Sequence, residues 1–169
     1  LSYFIKYGLN KNRWRHINLQ CLFVLNGNIS EVLIPDTENI FTLKEDNCSD
    51  FEGWYNGIKY FENKNNSPIY EQFTHLCLIN CSAIGPIYED SQNSHWLDPF
   101  FKELSSTNSQ ICSPCMNYIP HYTASGPGNR LSTIFSLIEI NKNIIELICN
   151  TKISNKSSKS TNIISKYYN

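Results

Sequence analysis

Polar residues that could bind a ligand follow three short apolar runs in this sequence. The runs have the length of buried strands, and in open α/β sheets ligands bind beyond the carboxyl ends of the strands. Amide, hydroxyl and carboxylate side chains at such positions can hydrogen bond to a polar ligand. The groups are Asn26 with Gly27 after the run 21–25, Asp46, Asn47 and Asp50 after the run 40–43, and Asn80 with Ser82 after the run 76–79.

Each of these groups also has a purely structural explanation. Asn26 and Gly27 form a common turn sequence, Asp50 can cap a helix, and Asn80 can satisfy backbone groups. The coincidence of all three groups at one sheet edge favours the binding interpretation. We therefore expect Asn26, Asn47, Asp50 and Asn80 to line one crevice.

Helices with one apolar stripe separate the runs. The clearest helix is predicted after Asp50, its expected cap, because Phe51, Trp54, Ile58 and Phe61 recur at three- and four-residue spacing. Further helices are predicted at three places: one ending at Gly8, one beginning at Asp98-Pro99, and one following Asn141 as its cap.

The alternation of strands and helices predicts one α/β domain over residues 1–150, with a single open, mainly parallel sheet and helices on both faces. The three apolar runs are expected to be strands buried on both faces. A further strand is expected over 111–119, interrupted at Pro114, and a loop over 125–130. Residues 151–169 are rich in Ser, Lys and Asn and are expected to form a weakly ordered tail.

The composition excludes several classes of protein. The net charge is −1, so no basic field exists to hold a nucleic acid. Aromatic residues make up 13% of the chain, which argues against disorder of the whole chain. No apolar run approaches the roughly 18 residues of a membrane helix, so no membrane span is expected in this chain. A cytoplasmic and an endomembrane-associated location both stay open.

Seven cysteines are spread along the chain, and several lie inside apolar runs, as reduced and buried thiols do. Cys112-Ser-Pro-Cys115 has the spacing of a redox pair or of half a zinc site. A redox pair needs a helix start and a zinc site needs a second pair of ligands, and the sequence around Cys112 supplies neither. We therefore expect both thiols to be dispensable.

Four motifs follow one another in a recognisable order: Phe-Val-Leu-Asn-Gly at 23–27, Asp-Asn-Cys-Ser-Asp-Phe-Glu-Gly-Trp at 46–54, Leu-Ile-Asn-Cys-Ser-Ala-Ile-Gly-Pro at 78–86, and His-Trp-Leu-Asp at 95–98. Together they resemble glycosyltransferase-like proteins of the GT-A (nucleotide-diphospho-sugar transferase) fold of eukaryotes and large DNA viruses. That group shows Asp-Phe-Gly-Gly-Trp opening a helix and Leu-Asn-x-Ser-Val-Arg-Gly-Pro after a strand. The resemblance covers residues 1–148.

The resemblance implies transfer of a sugar from a nucleotide sugar to a glycan or protein acceptor, with Asn47 and Asp50 near the base and ribose. Asn80 and Ser82 stand where the fold usually has an Asp-x-Asp pair that binds Mn²⁺ or Mg²⁺ and the diphosphate. Neither residue is acidic, and amide and hydroxyl oxygens are weaker ligands for these ions, so only a weak metal response is expected. Ile84 stands where the group has Arg.

Candidate bases for activating the acceptor hydroxyl are Asp98, His95 and His121. Asp98 can equally be a helix cap before Pro99. Arg130 could bind a phosphate or could be a solvated loop cation. The alternative to a transferase is an inactive remnant of the fold that binds a nucleotide sugar, a glycan or a protein.

Overall fold

A computed structural model describes residues 2–9, 17–27, 33–80, 83, 85–86, 95–114, 116–119, 128–131 and 135–155. These residues form a mixed α/β structure, which confirms the predicted class. An N-terminal π-helix, Phe4–Gly8, ends at the predicted glycine. The strands are β1 (Cys21–Asn26), β2 (Ile40–Glu45), β3 (His75–Ile79), β4 (Ile111–Cys112), β5 (Met116–Ile119), β6 (Gly128–Leu131) and β7 (Phe135–Glu139), and the α-helices are α1 (Asp50–Asn65), α2 (Ile69–Gln72), α3 (Asp98–Thr107) and α4 (Lys142–Asn155).

Helix α1 begins with a capping box rather than with the cap predicted from the sequence. The Ser49 hydroxyl accepts from the Glu52 backbone N–H at 3.3 Å, and the Glu52 carboxylate accepts from the Ser49 backbone N–H at 3.1 Å. This reciprocal pair satisfies two backbone donors at the helix start. The prediction that Asp50 caps the helix is therefore wrong, because Asp50 is the first helical residue and leaves its side chain for other contacts.

The apolar stripe predicted for α1 is its buried face. Ile58 and Phe61 are buried, and Phe51 packs edge-on against Trp54 at 4.9 Å between ring centroids. On the same face Gly53 and Gly57 lie over β1, where an added Cβ would come within 3.5 Å of Val24 and 3.3 Å of Leu22 respectively. The helix ends at Asn66, which has a left-handed backbone conformation.

Strands β1 and β2 are parallel and in register from Cys21 opposite Ile40 to Asn26 opposite Glu45. Helix α1 follows β2 and packs on both strands. In β2 burial alternates, with Thr42 and Lys44 exposed. The expectation that β2 is buried on both faces is therefore wrong, because one face of this strand meets solvent.

The second sheet has the order β3-β7-β4, and both neighbours run antiparallel to β7. Side chains of this sheet enter two cores on opposite faces. Leu78 and Ile138 join Ile58 of α1 in the first core, whereas Leu137 packs with Leu104 of α3 in the second. Helices therefore cover both faces of this sheet, as the sequence predicts.

Strand pairing differs from the predicted single sheet. The described strands form a parallel pair, an antiparallel three-stranded sheet and an antiparallel β5-β6 pair, and no single mainly parallel sheet is among them. The antiparallel pairs are those of β7 with its two neighbours and that of β5 with β6. The apolar pattern of these strands does not indicate whether they run parallel or antiparallel to their neighbours. Parallel and antiparallel pairs bury the same residue types, so the sequence pattern did not separate them.

Several local predictions can be compared with the structure. The break at Pro114 is confirmed between β4 and β5, and Asn141 caps α4 by accepting from the Ile144 backbone N–H at 3.0 Å. Helix α4 runs to Asn155, past the predicted start of the tail at residue 151, and α2 was not predicted. In the described part of the chain, no helix combines the length and the apolar character needed to cross a membrane.

The two glycines of α1 give a matched test of the packing on β1. Gly53→Ala should raise the free energy of unfolding by roughly 0.5–1 kcal/mol, since a helix-interior glycine is replaced and the new Cβ finds ordinary contacts. Gly57→Ala should gain clearly less, because its Cβ would press on Leu22 at 3.3 Å. Urea unfolding of both variants checks this, and a larger gain at position 57 would contradict the packing described.

Candidate functional site

Three strand ends meet at the start of helix α1. The side chain of Asn26, the last residue of β1, donates from Nδ2 to the Cys48 carbonyl oxygen at 2.6 Å and accepts at Oδ1 from the Cys48 backbone N–H at 3.1 Å. The Gly27 backbone N–H donates to the Glu45 carbonyl oxygen at 2.9 Å. These contacts hold the end of β1 against the loop that leaves β2. We call the residues 26, 27, 45–50 and 80 the strand-end cluster.

Asn47 makes the turn from β2 into α1. Its φ of 57° lies in the left-handed region, where asparagine is tolerated better than most residues. Its side chain is exposed beside Cys48 and Ser49. Asn47 therefore has a structural function in the turn and also presents an amide at the surface of the cluster.

A hydrogen bond between Asp50 and Asn80 ties the start of α1 to the end of β3. The Asn80 Nδ2 group donates to the Asp50 Oδ2 atom. Thirty residues separate the two in the sequence, and both belong to predicted ligand groups. The structure thus brings Asn26, Asp50 and Asn80 together around residues 48–50, while Ser82 lies outside the described residues.

The electrostatic character of the cluster is acidic. Burial raises the pKa of the Cys48 thiol, and the charges of Glu45, Glu52 and Asp50 raise it further. Two of these acids, Asp50 and Glu52, stand in the first turn of α1, where they offset the positive end of the helix dipole. This surface favours hydrogen-bond donors such as hydroxyl groups over anions.

Asp98 begins helix α3, near the end of β3 that carries Asn80. Its Oδ2 atom accepts from the His95 backbone N–H at 2.7 Å, which closes the turn before the helix. The neighbouring Trp96 packs against Phe135, the residue opposite Ile79 and therefore next to Asn80. Asp98 is therefore the first helical residue and not the cap, which is Leu97, so the predicted cap is wrong. Its side chain closes the preceding turn, and the residue is exposed to solvent.

His95 is 4% exposed and its ring is oriented by the backbone. The Nδ1 atom accepts from the Leu97 backbone N–H at 3.1 Å, so this ring nitrogen carries no proton and Nε2 is the protonated position of the neutral ring. A base that takes a proton from an acceptor hydroxyl must be reachable by that hydroxyl. The exposed Asp98 meets this requirement better than His95, and His121 lies outside the described residues.

Arg130 lies on a strand rather than in the predicted loop. It belongs to β6 and pairs with Asn117 of β5, so the loop predicted over 125–130 is wrong for residues 128–130. The backbone of Arg130 is held by its pairing with β5. The structure does not describe its side chain. Its predicted contact with a phosphate stays a prediction.

The five cysteines whose surroundings are described are free thiols: Cys21, Cys48, Cys77, Cys112 and Cys149. Burial raises the pKa of Cys21 to about 12 and raises the pKa of Cys77 as well. Cys112 lies on β4 instead of at a helix start, and burial followed by the charge of Glu103 raises its pKa too. A redox cysteine needs the opposite shift, and Cys115 lies outside the described residues.

The residues around Asn80 offer few ligands for a divalent cation. Within the described ranges, no group of three His, Cys, Asp or Glu side chains could hold a metal ion. The contact described at Asn80 involves one carboxylate, that of Asp50, and the NH₂ group of the Asn80 amide faces it. Mg²⁺ and Mn²⁺ prefer carboxylate-rich sites, so this donor set fits them poorly.

A shallow groove of about 640 Å³ extends from the cluster along the outer side of α1. It begins at Glu45 and is not among the predicted sites. Amide and charged side chains surround an aromatic ring there: the lining residues are Leu43, Glu45, Asn56, Lys59, Tyr60, Asn63 and Lys64. The five of these residues that lie on α1 have a helical spacing that is visible in the sequence. Exposed helical faces share that pattern, so the spacing did not identify a groove.

Glu45, Cys48 and Ser49 are the cluster residues that sequence reasoning missed. Cys48 contributes only backbone groups to Asn26, and no side-chain pattern announces such a contact. Ser49 had a signal, because Ser-x-x-Glu before an apolar stripe is the sequence of a capping box. No family model, curated protein or solved structure matches this chain.

Removal of the Asp50 side chain should loosen the cluster. Asp50→Ala deletes the acceptor for Asn80 and should lower the free energy of unfolding by about 1–2 kcal/mol. Asp46→Ala is the matched control, since it removes an exposed acid from the same loop. It should change the stability by less than about 0.5 kcal/mol. Urea unfolding measures both, and equal effects would contradict the importance of the Asp50–Asn80 contact.

Burial of Cys21 and Cys77 should make these thiols slow to react. Their pKa values are raised, so at pH 8 almost no thiolate is present in the folded protein. With a maleimide reagent, both should label at least about tenfold more slowly in the native protein than in urea. Mass spectrometry of labelled peptides measures this, and rapid native labelling of Cys77 would disprove the burial.

Proposed function

We propose that this chain is a glycosyltransferase of the GT-A type that binds its nucleotide-sugar donor at the strand-end cluster. The observation that supports this most is the Asp50–Asn80 hydrogen bond. It joins the second and third of the four motifs that resemble the group, and the Asn26–Cys48 contacts join the first to the second. Motifs far apart in sequence thus form one polar surface beyond strand ends, where α/β sheets bind ligands.

The charge of the cluster decides which part of the donor binds there. Ribose hydroxyl groups and base N–H groups donate hydrogen bonds, and the carboxylate of Asp50 and the amide of Asn47 can accept them. A diphosphate would be repelled by the acids in the first turn of α1. The nucleoside end therefore lies at Asp50 and Asn47 in this proposal, and the diphosphate lies on the side of Asn80, with Ser82 and Arg130 as the further residues proposed to contact it.

The proposed fold type depends on the cores that the β1-β2 pair and the β3-β7-β4 sheet share. Leu22 of β1 packs on the same core as Leu78 of β3, beneath α1. On the opposite face, Phe23 meets Phe4, which contacts Trp96 above the second sheet. We propose that the parallel β1-β2 pair and the β3-β7-β4 sheet, which share these cores, together form the central α/β layer of a GT-A-type fold.

Catalysis in this proposal depends on groups of the chain rather than on a metal at Asn80. The donor set there fits a divalent cation poorly, as described above. Asp98 is the proposed base that accepts the proton of the acceptor hydroxyl as the new glycosidic bond forms and the nucleoside diphosphate leaves. The leaving group must be stabilised by hydrogen-bond donors and by a cation such as Arg130.

One observation favours the second candidate, a binding protein without transfer activity. The described part of the cluster carries several acids, and Ile84 occupies the position where the resembling group has Arg. A leaving diphosphate develops negative charge that such a surface does not stabilise. The chain would then bind a nucleotide sugar, or a glycan, without turning it over.

Calorimetry with a panel of nucleotide sugars, each with and without Mn²⁺, tests the proposal. We expect one donor to bind with little dependence on Mn²⁺ and Asp50→Ala to weaken binding at least about tenfold, a loss of roughly 1.4 kcal/mol. Glu71→Ala removes an exposed acid of α2 outside the strand-end cluster, so this control should bind normally. Release of the nucleoside diphosphate in the presence of acceptors then separates a transferase from a binding protein. Failure of every donor to bind a folded sample would reject the transferase and would leave a binding protein for a glycan.

A further inference from the structure

The sequence contains two Asn-Gly pairs, and the fold treats them differently. They are Asn26-Gly27 at the end of β1 and Asn56-Gly57 inside α1. Asn-Gly is chemically unstable because the glycine has no Cβ to hinder its own nitrogen. The deprotonated glycine nitrogen attacks Cγ of the asparagine, the Cγ–Nδ2 bond breaks, and ammonia leaves. Water then opens the resulting succinimide to aspartate or isoaspartate.

Asn56-Gly57 is held in a conformation that prevents this attack. It lies in the middle of a helix of sixteen residues whose packing face includes Gly57 against Leu22. Ring closure needs the peptide to leave the helical conformation, and a helix interior opens only at a high cost in free energy. Asn56 should therefore stay intact while α1 is folded.

Asn26-Gly27 lies at an exposed strand end and is held by only a few contacts. Two hydrogen bonds join the Asn26 side chain to Cys48, and one joins the Gly27 backbone N–H to Glu45. Gly27 has a φ of 81°, and apart from its chain neighbours no atom of the described residues lies within 4 Å of the place where its Cβ would be. Opening these contacts frees both the attacking nitrogen and the amide, and it requires no loss of the core.

We propose that Asn26 is a deamidation site whose modification dismantles the strand-end cluster. The product has a carboxylate in place of the amide, so the donor to the Cys48 carbonyl oxygen is lost and two oxygens face each other. The new charge also joins Glu45, Asp50 and Glu52, the acids that already surround Cys48. Like charges at this distance repel, and the loop between β2 and α1 should separate from β1.

Peptide mapping by mass spectrometry tests the proposal on the full chain incubated at pH 8. In urea, both Asn-Gly pairs should deamidate at similar rates. In the folded protein Asn26 should react about a hundredfold more slowly than in urea, but at least about tenfold faster than Asn56. Equal rates at the two sites in the folded protein, faster reaction of Asn56, or no reaction of Asn26 within about a hundred times the half-time measured in urea would each overturn it.

A pair of variants tests the consequence separately. Asn26→Asp reproduces the aspartate product of deamidation. Asn63→Asp adds the same charge to an exposed position of α1. Asn26→Asp should lower the urea midpoint of unfolding more than Asn63→Asp does, and it should speed amide exchange in residues 46–49. Identical midpoints and unchanged exchange would show that the modification leaves the cluster intact and would overturn this part of the proposal.

Discussion

The packing of helix α1 across two sheets is the interaction on which the fold and the candidate site both depend. Ile58 and Phe61 enter a core that contains Leu78 and Ile138 of one sheet, and Leu22 of the other sheet packs against it. Gly53 and Gly57 let the helix lie close to β1. Because the helix is fixed to both sheets, its first turn is fixed relative to the ends of β1, β2 and β3, and those ends carry the polar residues.

The polar contacts at the start of α1 convert this packing into a defined surface. The capping box satisfies the helix start with Ser49 and Glu52, which leaves the Asp50 carboxylate for Asn80. Asn26 bonds to backbone groups of Cys48, so its amide orientation is set by the loop and not by a second side chain. The result is an acidic surface with amides, which suits a ligand rich in hydroxyl and N–H donors.

The sequence predicted those elements whose pattern is local. The stripe of α1, the cap at Asn141 and the apolar runs of β1 and β3 each show in a few neighbouring residues, and each is found in the structure. Strand direction was not predictable in this way, because β7 pairs antiparallel with β3 through contacts between residues about sixty positions apart. Asn26, Asp50 and Asn80 were identified as a group by their positions after apolar runs, whereas Cys48 contributes only backbone groups and left no signal.

In our proposal the strand-end cluster binds the nucleoside end of a nucleotide sugar. The most direct measurement is a nitrogen-15 NMR titration of the folded chain with free nucleosides and with the matching nucleoside diphosphates. We expect a nucleoside alone to shift the backbone signals of residues 47–51 and the side-chain amide signals of Asn26 and Asn80. Shifts that need the diphosphate and fall outside these residues, or no shifts with any nucleoside, would contradict it.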